Sequence, residues 1–555
     1  MRRKLWRVHN LTVEAKKLAE KFNIYPILAQ ILLNRNIEEA EFNGFLRSPL
    51  SALHAPHLLP DLDKAAARIH RAVKENERVL VFGDYDVDGI TSLAVFHEFA
   101  KEFPGNFSFY IPHRIRDGYG LNADAIERAK QEGVSLIIAF DCGTNAFEEL
   151  KLARSYGIDV VVVDHHQPKG GLPDAYAFVN PKRKDSCYPF CDLSSAALSF
   201  KLLQVLKKAS CWGALDLVAL SLVCDVVPLK GENRILLKEG IKWLKRSQRP
   251  SIKALCEVSG IRQHNVDTFH IGYILGPRIN ASGRVADAHH SLEIFLTEDE
   301  EKAYNIASKL QEYNQLRKGI EGLILREAEA QASQCSGECA LVVHNEGWHP
   351  GVLGIVAARL VDRYYRPCFV ISFENSVGRG SARSIHSLHL MEMLDECSDF
   401  LHTYGGHKKA AGIQIFKQEL EGFKERLNTL VKSTLKPTDF VPIMDVDVKL
   451  EFTDITMMLV RELENLPPYG EGIGEPLFAT YNVLKKGFPK KIKGGYSVWL
   501  QRDNKIFEGI IYDRDILEVV EYGTAFNIVY SLGKNTYHNV PKLIIRDCQL
   551  SDGGS

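Results

Sequence analysis

Three apolar runs in this chain end directly in acidic or imidazole side chains, and no other feature limits the fold so tightly. VLVFG runs into Asp84, Asp86 and Asp88, LIIAF into Asp141, and VVVV into Asp164, His165 and His166. From about residue 76 to 165 such runs (RVLVF at 78–82, FSFYI at 107–111, VSLIIAF at 134–140, IDVVVV at 158–163) alternate with charged stretches of helical spacing. Uninterrupted apolar segments separated by helices fit strands buried on both faces of a parallel sheet. In open sheets of that kind ligands gather beyond the carboxyl ends of the strands, where these acids and histidines fall. A further segment, LDLVALSLVCDVVPL (215–229), is broken by Asp216 and Asp225 and reads as a buried helix, too short to span a bilayer.

A single aspartate after a strand serves equally well as the N-cap of the next helix. Several together repel one another, and desolvation would protonate them unless cations held the site. Carboxylates with one or two imidazoles and no thiolate suit Mn²⁺ or Mg²⁺, with Cys142 left to packing. Two such ions about 3.5–4 Å apart lower the pKa of a bridging water and clamp the attacking and leaving oxygens of a phosphoester. Phosphodiester hydrolysis is the expected chemistry.

The 555 residues exceed one core and suggest three or four domains. The 69 Lys and Arg nearly cancel the 70 Asp and Glu, so a surface for nucleic acid must be local. The 11 cysteines include no CxxC pair, and we read them as reduced thiols. The basic start MRRKLWRVHN leads into no apolar signal region, which makes the cytoplasm the expected location.

Spacing predicts a helical lead-in over 1–50 and a catalytic domain over 51–296. A capping box at Thr297-Glu-Asp-Glu300 then opens a connecting helix over 297–335, with Ile306, Leu310, Tyr313, Leu316, Ile320 and Leu323 at three- and four-residue steps. A second α/β region, 336–438, contains ALVVH (340–344), a helix from Gly351, GRGSARS (378–384) and YGGHKKAAG (404–412). In 439–555 the runs YSVWLQ, FEGIIY, FNIVYSL and PKLIIRD predict a small closed β-barrel. Its basic run KKGFPKKIK (485–493), beside Tyr496 and Trp499, suits a groove that holds a nucleic-acid backbone and stacks bases.

Taken in order, FGDYDVDGITS, AFDCGTN, VVVDHHQP and VCDVVPL resemble the successive motifs of the DHH phosphoesterase family. FYIPHRIRDGYGLN, LGPRINASGR, GWHPGVLGIVAARL, SARSI and GGHKKAAG extend the similarity over nearly the entire chain, to the larger exonucleases of that family. The resemblance implies a parallel-sheet DHH domain, a long helix, a second α/β (DHH-associated) domain and a C-terminal OB-fold. It makes Asp84, Asp86, Asp88, Asp141, His165 and Asp225 the metal ligands, with Asp141 bridging two ions. His166 would face the scissile phosphate, and Asp164 would orient a ligating histidine through its other ring nitrogen.

Arg114, Arg278, Asn280 and Arg284 fall in the family's phosphate-contacting motifs. Ser381 and Arg383, flanked by Gly378 and Gly380, fall where a 5′-terminal phosphate is held, and His407 in the substrate-binding signature. A plainer use of the small residues near His407 is tight helix packing at Ala410 and Ala411. Two segments depart from the pattern: LSSAALSF (193–200) replaces a cysteine- and glycine-rich stretch, and Ala382 replaces a glycine. The implied activity is 5′→3′ hydrolysis of single-stranded DNA to mononucleotides in recombination and repair. The implied setting is a monomer working beside a single-strand-binding protein and a RecQ-type helicase. A DHH enzyme for dinucleotides or nano-RNA would typically lack the barrel, and a catalytically dead DNA-binding scaffold would not need all six ligands.

Overall fold

The alternating apolar and charged segments fold as a five-stranded, wholly parallel sheet. The structure is a computed structural model and describes residues 4–114, 116–335, 337–535 and 539–551. In chain order the strands are Arg78–Gly83, Asn106–Tyr110, Leu136–Phe140, Asp159–Val163 and Ala177–Val179, and they lie side by side as second, first, third, fourth, fifth. Every residue of Leu136–Phe140 is buried, which is why that run shows no alternation. Because the chain leaves the first strand to one side and returns on the other, the order reverses between Arg78–Gly83 and Leu136–Phe140. That is the crevice in which such sheets bind ligands. The helix Val87–Ala100 follows the first strand, and helices Ser195–Lys207 and Leu215–Cys224 pack against it.

The long helix spans Glu300–Gln334, 35 residues, which is about 50 Å at 1.5 Å per residue. Its N-cap is Asp299, which accepts the Lys302 N–H, so the capping box expected at Thr297 is placed two residues early. Thr297 instead receives the Asp299 N–H on its hydroxyl.

Beyond the helix lies a second five-stranded sheet, in the order Thr403–Gly406, Ala410–Phe416, Val377–Arg383, Cys368–Glu374, Leu341–Glu346; only the last pair is parallel. One of its cores holds Phe369, Ala382, Ile413 and Phe423, and the other Val343, Val356, Leu360 and Val370. All of GRGSARS but its last residue lies in the strand Val377–Arg383. Ala410 and Ala411 also lie in a strand, which corrects the alternative of helix packing at those positions.

A separate compact unit comprises Met1–Ala52, Pro228–Arg234 and Val441–Ser555. The lead-in is helical at Val13–Phe22 and Pro26–Asn34, but it opens with a strand, Leu5–Val8, that pairs in parallel with Ile443–Val446. Phe478–Ile492, Gly495–Arg502, Lys505–Ile511, Val540–Leu550 and Ala525–Asn535 close into a barrel, the last strand pairing back onto the first. Closure leaves these strands no free edge. Among the described residues no helix is long and apolar enough to cross a membrane.

Candidate metal centre and phosphate site

The expected acids and histidines converge where the sheet order reverses. Asp84 follows the first strand, Asp141 the third, and Asp164, His165 and His166 the fourth, while Asp225 ends the helix Leu215–Cys224. Three groups of donor atoms each lie within 4.8 Å of one another: Asp84, Asp86 and Asp141; Asp88, His165 and Asp225; and Asp141, Asp164, His165 and His166. Asp141 belongs to two of the groups, with Oδ1 3.3 Å from His165 Nε2. The same imidazole nitrogen lies 3.6 Å from both Asp88 Oδ2 and Asp225 Oδ2. Two residues here adopt left-handed backbone. Asp141 has φ 60°, which a short polar side chain tolerates, and Val226, next to Asp225, has φ 57°, an outlier for a β-branched residue.

Asp86 does cap a helix, accepting the N–H groups of Asp88 and Gly89 on one oxygen, so capping and ligation coexist in that residue. Asp88 is held from behind by the N–H groups of Ser195 and Ala196 and by the Ser221 hydroxyl. This explains why LSSAALSF serves in place of the family's usual segment: the donors are backbone groups in the first turn of the helix that Ser194 caps.

Asp164 accepts from the N–H groups of Thr144, His165 and His166, and lies 2.7 Å from His166 Nδ1. It therefore orients His166, the ring expected to face phosphate, and not His165, the expected ligand. Burial alone would raise the Asp164 carboxyl, but the bond and charge of His166 hold it well below the usual range.

Three other carboxyls behave in the opposite way. Burial, then the charge of Asp86, pushes Asp84 well up; burial, then Asp88, Asp86 and Asp84, does the same to Asp141; and burial, then Asp88 and Asp86, to Asp225. Burial lowers His165, keeping it neutral with a lone pair to offer. Asp84 Oδ1, His165 Nε2 and Asp225 Oδ2 are buried and have no hydrogen-bond partner. Buried polar atoms are normally paired, and orphaned oxygen and imidazole donors facing one another fit divalent cations of the Mn²⁺ or Mg²⁺ type.

A cationic shell stands opposite. Arg114 packs over the Tyr85 ring at 4.9 Å. Arg284 is pulled down to about 10 by burial and by the nearby charges of Arg114 and Arg317, and its Nη1 donates to the Gly351 carbonyl at 3.1 Å. Burial, then Arg114, lowers Arg383 as well. Arg383 donates to the Ser381 hydroxyl at 3.2 Å, and these alternate residues share one face of their strand while Ala382 points into the core.

Asn280 and Arg284, four apart on the helix Gly276–Val285, share a face. Arg278 lies off that face. Its Nη1 turns back to the Ile274 carbonyl at 2.6 Å and its Nε has no partner. His407 sits in the turn between Thr403–Gly406 and Ala410–Phe416, where burial and the charges of Lys169, His166 and Lys182 lower it. That turn of the second α/β domain thus lies in the electrostatic field of the DHH strand ends.

Residues 78–222 match the DHH family, N-terminal domain, residues 337–433 the DHHA1 domain, and residues 446–547 the RecJ OB domain. The single-stranded-DNA-specific exonuclease RecJ of Bacillus subtilis (strain 168) is 34% identical over 550 residues, covering 97% of this chain and 70% of that one. The chain belongs to the RecJ family. RecJ of Escherichia coli (strain K12) is 32% identical, over 82% of this chain and 83% of its own. The crystal structure of RecJ from Thermus thermophilus in complex with Mn²⁺ superposes with a TM-score of 0.84 at 26% identity, covering 99% of this chain and 80% of that one.

Reading the sequence missed two contributors to this RecJ site. Tyr119 donates its hydroxyl to the Asp141 carbonyl at 2.8 Å and lies 3.2 Å from the His166 ring. Gly354, in the first turn of the helix Leu353–Tyr364, faces Ser381 and Arg383 so closely that a Cβ would stand 2.9 Å from Arg383 Nη2 and 3.0 Å from the Ser381 hydroxyl. Both lie inside the motifs GYG and GVLG, but only the fold shows what they touch.

Proposed function

We propose that the protein is a metal-dependent exonuclease that releases mononucleotides from the 5′ end of single-stranded DNA, acting in recombination and repair. The reading rests chiefly on Asp141 being shared by two donor groups whose other members include two buried atoms with no partner, Asp84 Oδ1 and His165 Nε2; a third such atom, Asp225 Oδ2, lies 3.6 Å from His165 Nε2. Asp84 and Asp86 would hold one ion, Asp88, His165 and Asp225 the other, and Asp141 both. Bound there, Mn²⁺ or Mg²⁺ supplies a water of lowered pKa and neutralises charge on the attacking and leaving oxygens.

The protein's own groups do the rest. His166, fixed by Asp164, donates to an oxygen of the scissile phosphate. Arg114, Asn280 and Arg284 neutralise and align the strand, with Arg278 supporting their helix from behind. Ser381 and Arg383 receive the terminal phosphate in the space that Gly354 leaves open, which sets the polarity. Guanidinium forks suit two oxygens of one phosphate. His407 contacts the terminal nucleotide, and the lysine-rich barrel strand itself binds single-stranded DNA.

The same reading takes the protein to act as a monomer in the cytoplasm, on strands opened by a RecQ-type helicase and coated by a single-strand-binding protein. Incubation with Mn²⁺ and a single strand labelled at one end or the other tests it. We expect mononucleotides from the 5′ end only and none from the duplex. Binding without cleavage, or cleavage confined to dinucleotides, would overturn the reading.

A further inference from the structure

The helix that carries the GPRINASGR motif begins well before it. Asp267 caps a helical turn at Thr268–His270, a π turn follows at Ile271–Leu275, and the α-helix Gly276–Val285 continues directly. Pro277 has no N–H to give to the carbonyl four residues earlier, and the backbone widens just ahead of it. Turns of this kind recur at functional sites.

Ile271 and Leu275 are buried, at 0% and 1% exposure, while on the opposite side Phe269 and Tyr273 stand 57% and 74% exposed. The two exposed rings are stacked, 5.1 Å between centroids and 28° between planes. Two large aromatics held ring to ring in water would gain more by covering each other in a core; here they present a flat apolar face outward.

The helix that carries that face packs against the segment leading into the metal centre. Gly276 is packed so tightly on Cys224 that a Cβ would lie 2.4 Å from its sulfur, and a Cβ on Gly272 would lie 3.3 Å from Val223. Cys224, immediately before the expected ligand Asp225, is half-buried and feels the charges of Asp86, Asp225 and Asp88. One thiol therefore separates the π turn from the carboxylates. Val226, on the ligand's other side in the chain, is 60% exposed.

The geometry points to the Phe269–Tyr273 pair as a stacking subsite for an unpaired base of the DNA strand whose 5′ end occupies the metal centre. This rests on the proposed activity on single strands. An aromatic platform takes any base through its π-face, so it would add affinity without sequence preference, and a base still paired in duplex could not offer that face.

The test is steady-state kinetics with Mn²⁺ on a 5′-phosphorylated 20-nucleotide single strand and on a 5′-phosphorylated dinucleotide. The proteins compared are the wild type and the variants Phe269→Ala, Tyr273→Ala and Tyr273→Trp. Each alanine variant should raise KM for the 20-mer about tenfold, with dinucleotide turnover, Mn²⁺ affinity and Tm unchanged, and Tyr273→Trp should keep the wild-type KM. A 20-mer KM within about twofold of wild type overturns the subsite, as does an equal loss on the dinucleotide, which would mark a structural role. A defect seen only on strands coated with a single-strand-binding protein would assign the face to a protein partner instead and overturn the subsite too. A wild-type protein that leaves the 20-mer intact would sink the proposed activity itself, whereas an active wild type with indifferent variants would sink the platform alone.

Discussion

At the scale of single residues, the site is a set of charges that the fold alone does not neutralise. Asp84, Asp141 and Asp225 are all held well above the usual carboxylate range, so without metal the folded protein binds more protons than the unfolded chain. Stability contributed in that way is present below the unfolded pKa of about 3.9 and is lost as pH rises through the folded values. Burial lowers His165, and likewise His97, His344, His349 and His407, and these groups work in the opposite direction. The gain in Tm when chelator-treated protein is saturated with Mn²⁺ should therefore grow from pH 5 to pH 8, as the cations displace protons from these carboxyls; a gain that shrinks over that range would contradict this electrostatic picture. Asp164→Asn keeps the ligands but loses the charge behind His166. Turnover should drop by about 10–100-fold with Mn²⁺ affinity nearly unchanged, which separate measurements of kcat and metal binding would check.

At the scale of elements, the proposed phosphate pocket depends on a helix approaching a strand. Gly354→Val would drive a branched side chain into Ser381 and Arg383, so the preference for a 5′-phosphorylated over a 5′-hydroxyl strand should fall to near unity while cleavage of the phosphodiester persists. Competition between the two substrates measures this, and an undiminished preference would remove the pocket from its assigned role. The catalytic strands were legible in the sequence because burial on both faces leaves long apolar runs, and their acids stood out because they end those runs. Long-range pairings were not legible. Leu5–Val8 is four residues long and its partner lies at Ile443–Val446. Thr297 and Asp299 are both good N-caps, and what decides between them is which one reaches the N–H three residues on. Whether Asp164 serves His165 or His166 depends on the turn after its strand, and the Tyr119 contact to Asp141 spans 22 residues.

At the scale of the molecule, a near-neutral chain must place its positive charge locally, and two regions do so. Arg114, Arg284 and Arg383 crowd the metal centre, and Lys485, Lys486, Lys490, Lys491 and Lys493 lie along one long barrel strand and its turn. Lys486 pairs directly across from Trp499, and Lys491 from Tyr496, so cations and aromatic rings alternate over neighbouring strands. Changing Lys486, Lys490 and Lys491 to Ala should weaken binding of long single strands and make it less salt-dependent, by about 0.7 in log–log slope for each phosphate no longer neutralised. An unchanged slope would show that these lysines are only solvated.

The proposed chemistry turns on a pair of cations joined by Asp141, and calorimetric titration of metal-free protein with Mn²⁺ decides whether that pair exists. The wild type should take up two ions per chain, and Asp141→Ala should lose tight binding at both positions. Without metal, the Tm of that variant should stay near that of the wild type, because relief of the crowded carboxyls offsets the strain of Ala at a φ of 60°. One ion per chain, or two ions bound equally well by the variant, would contradict the shared-ligand centre.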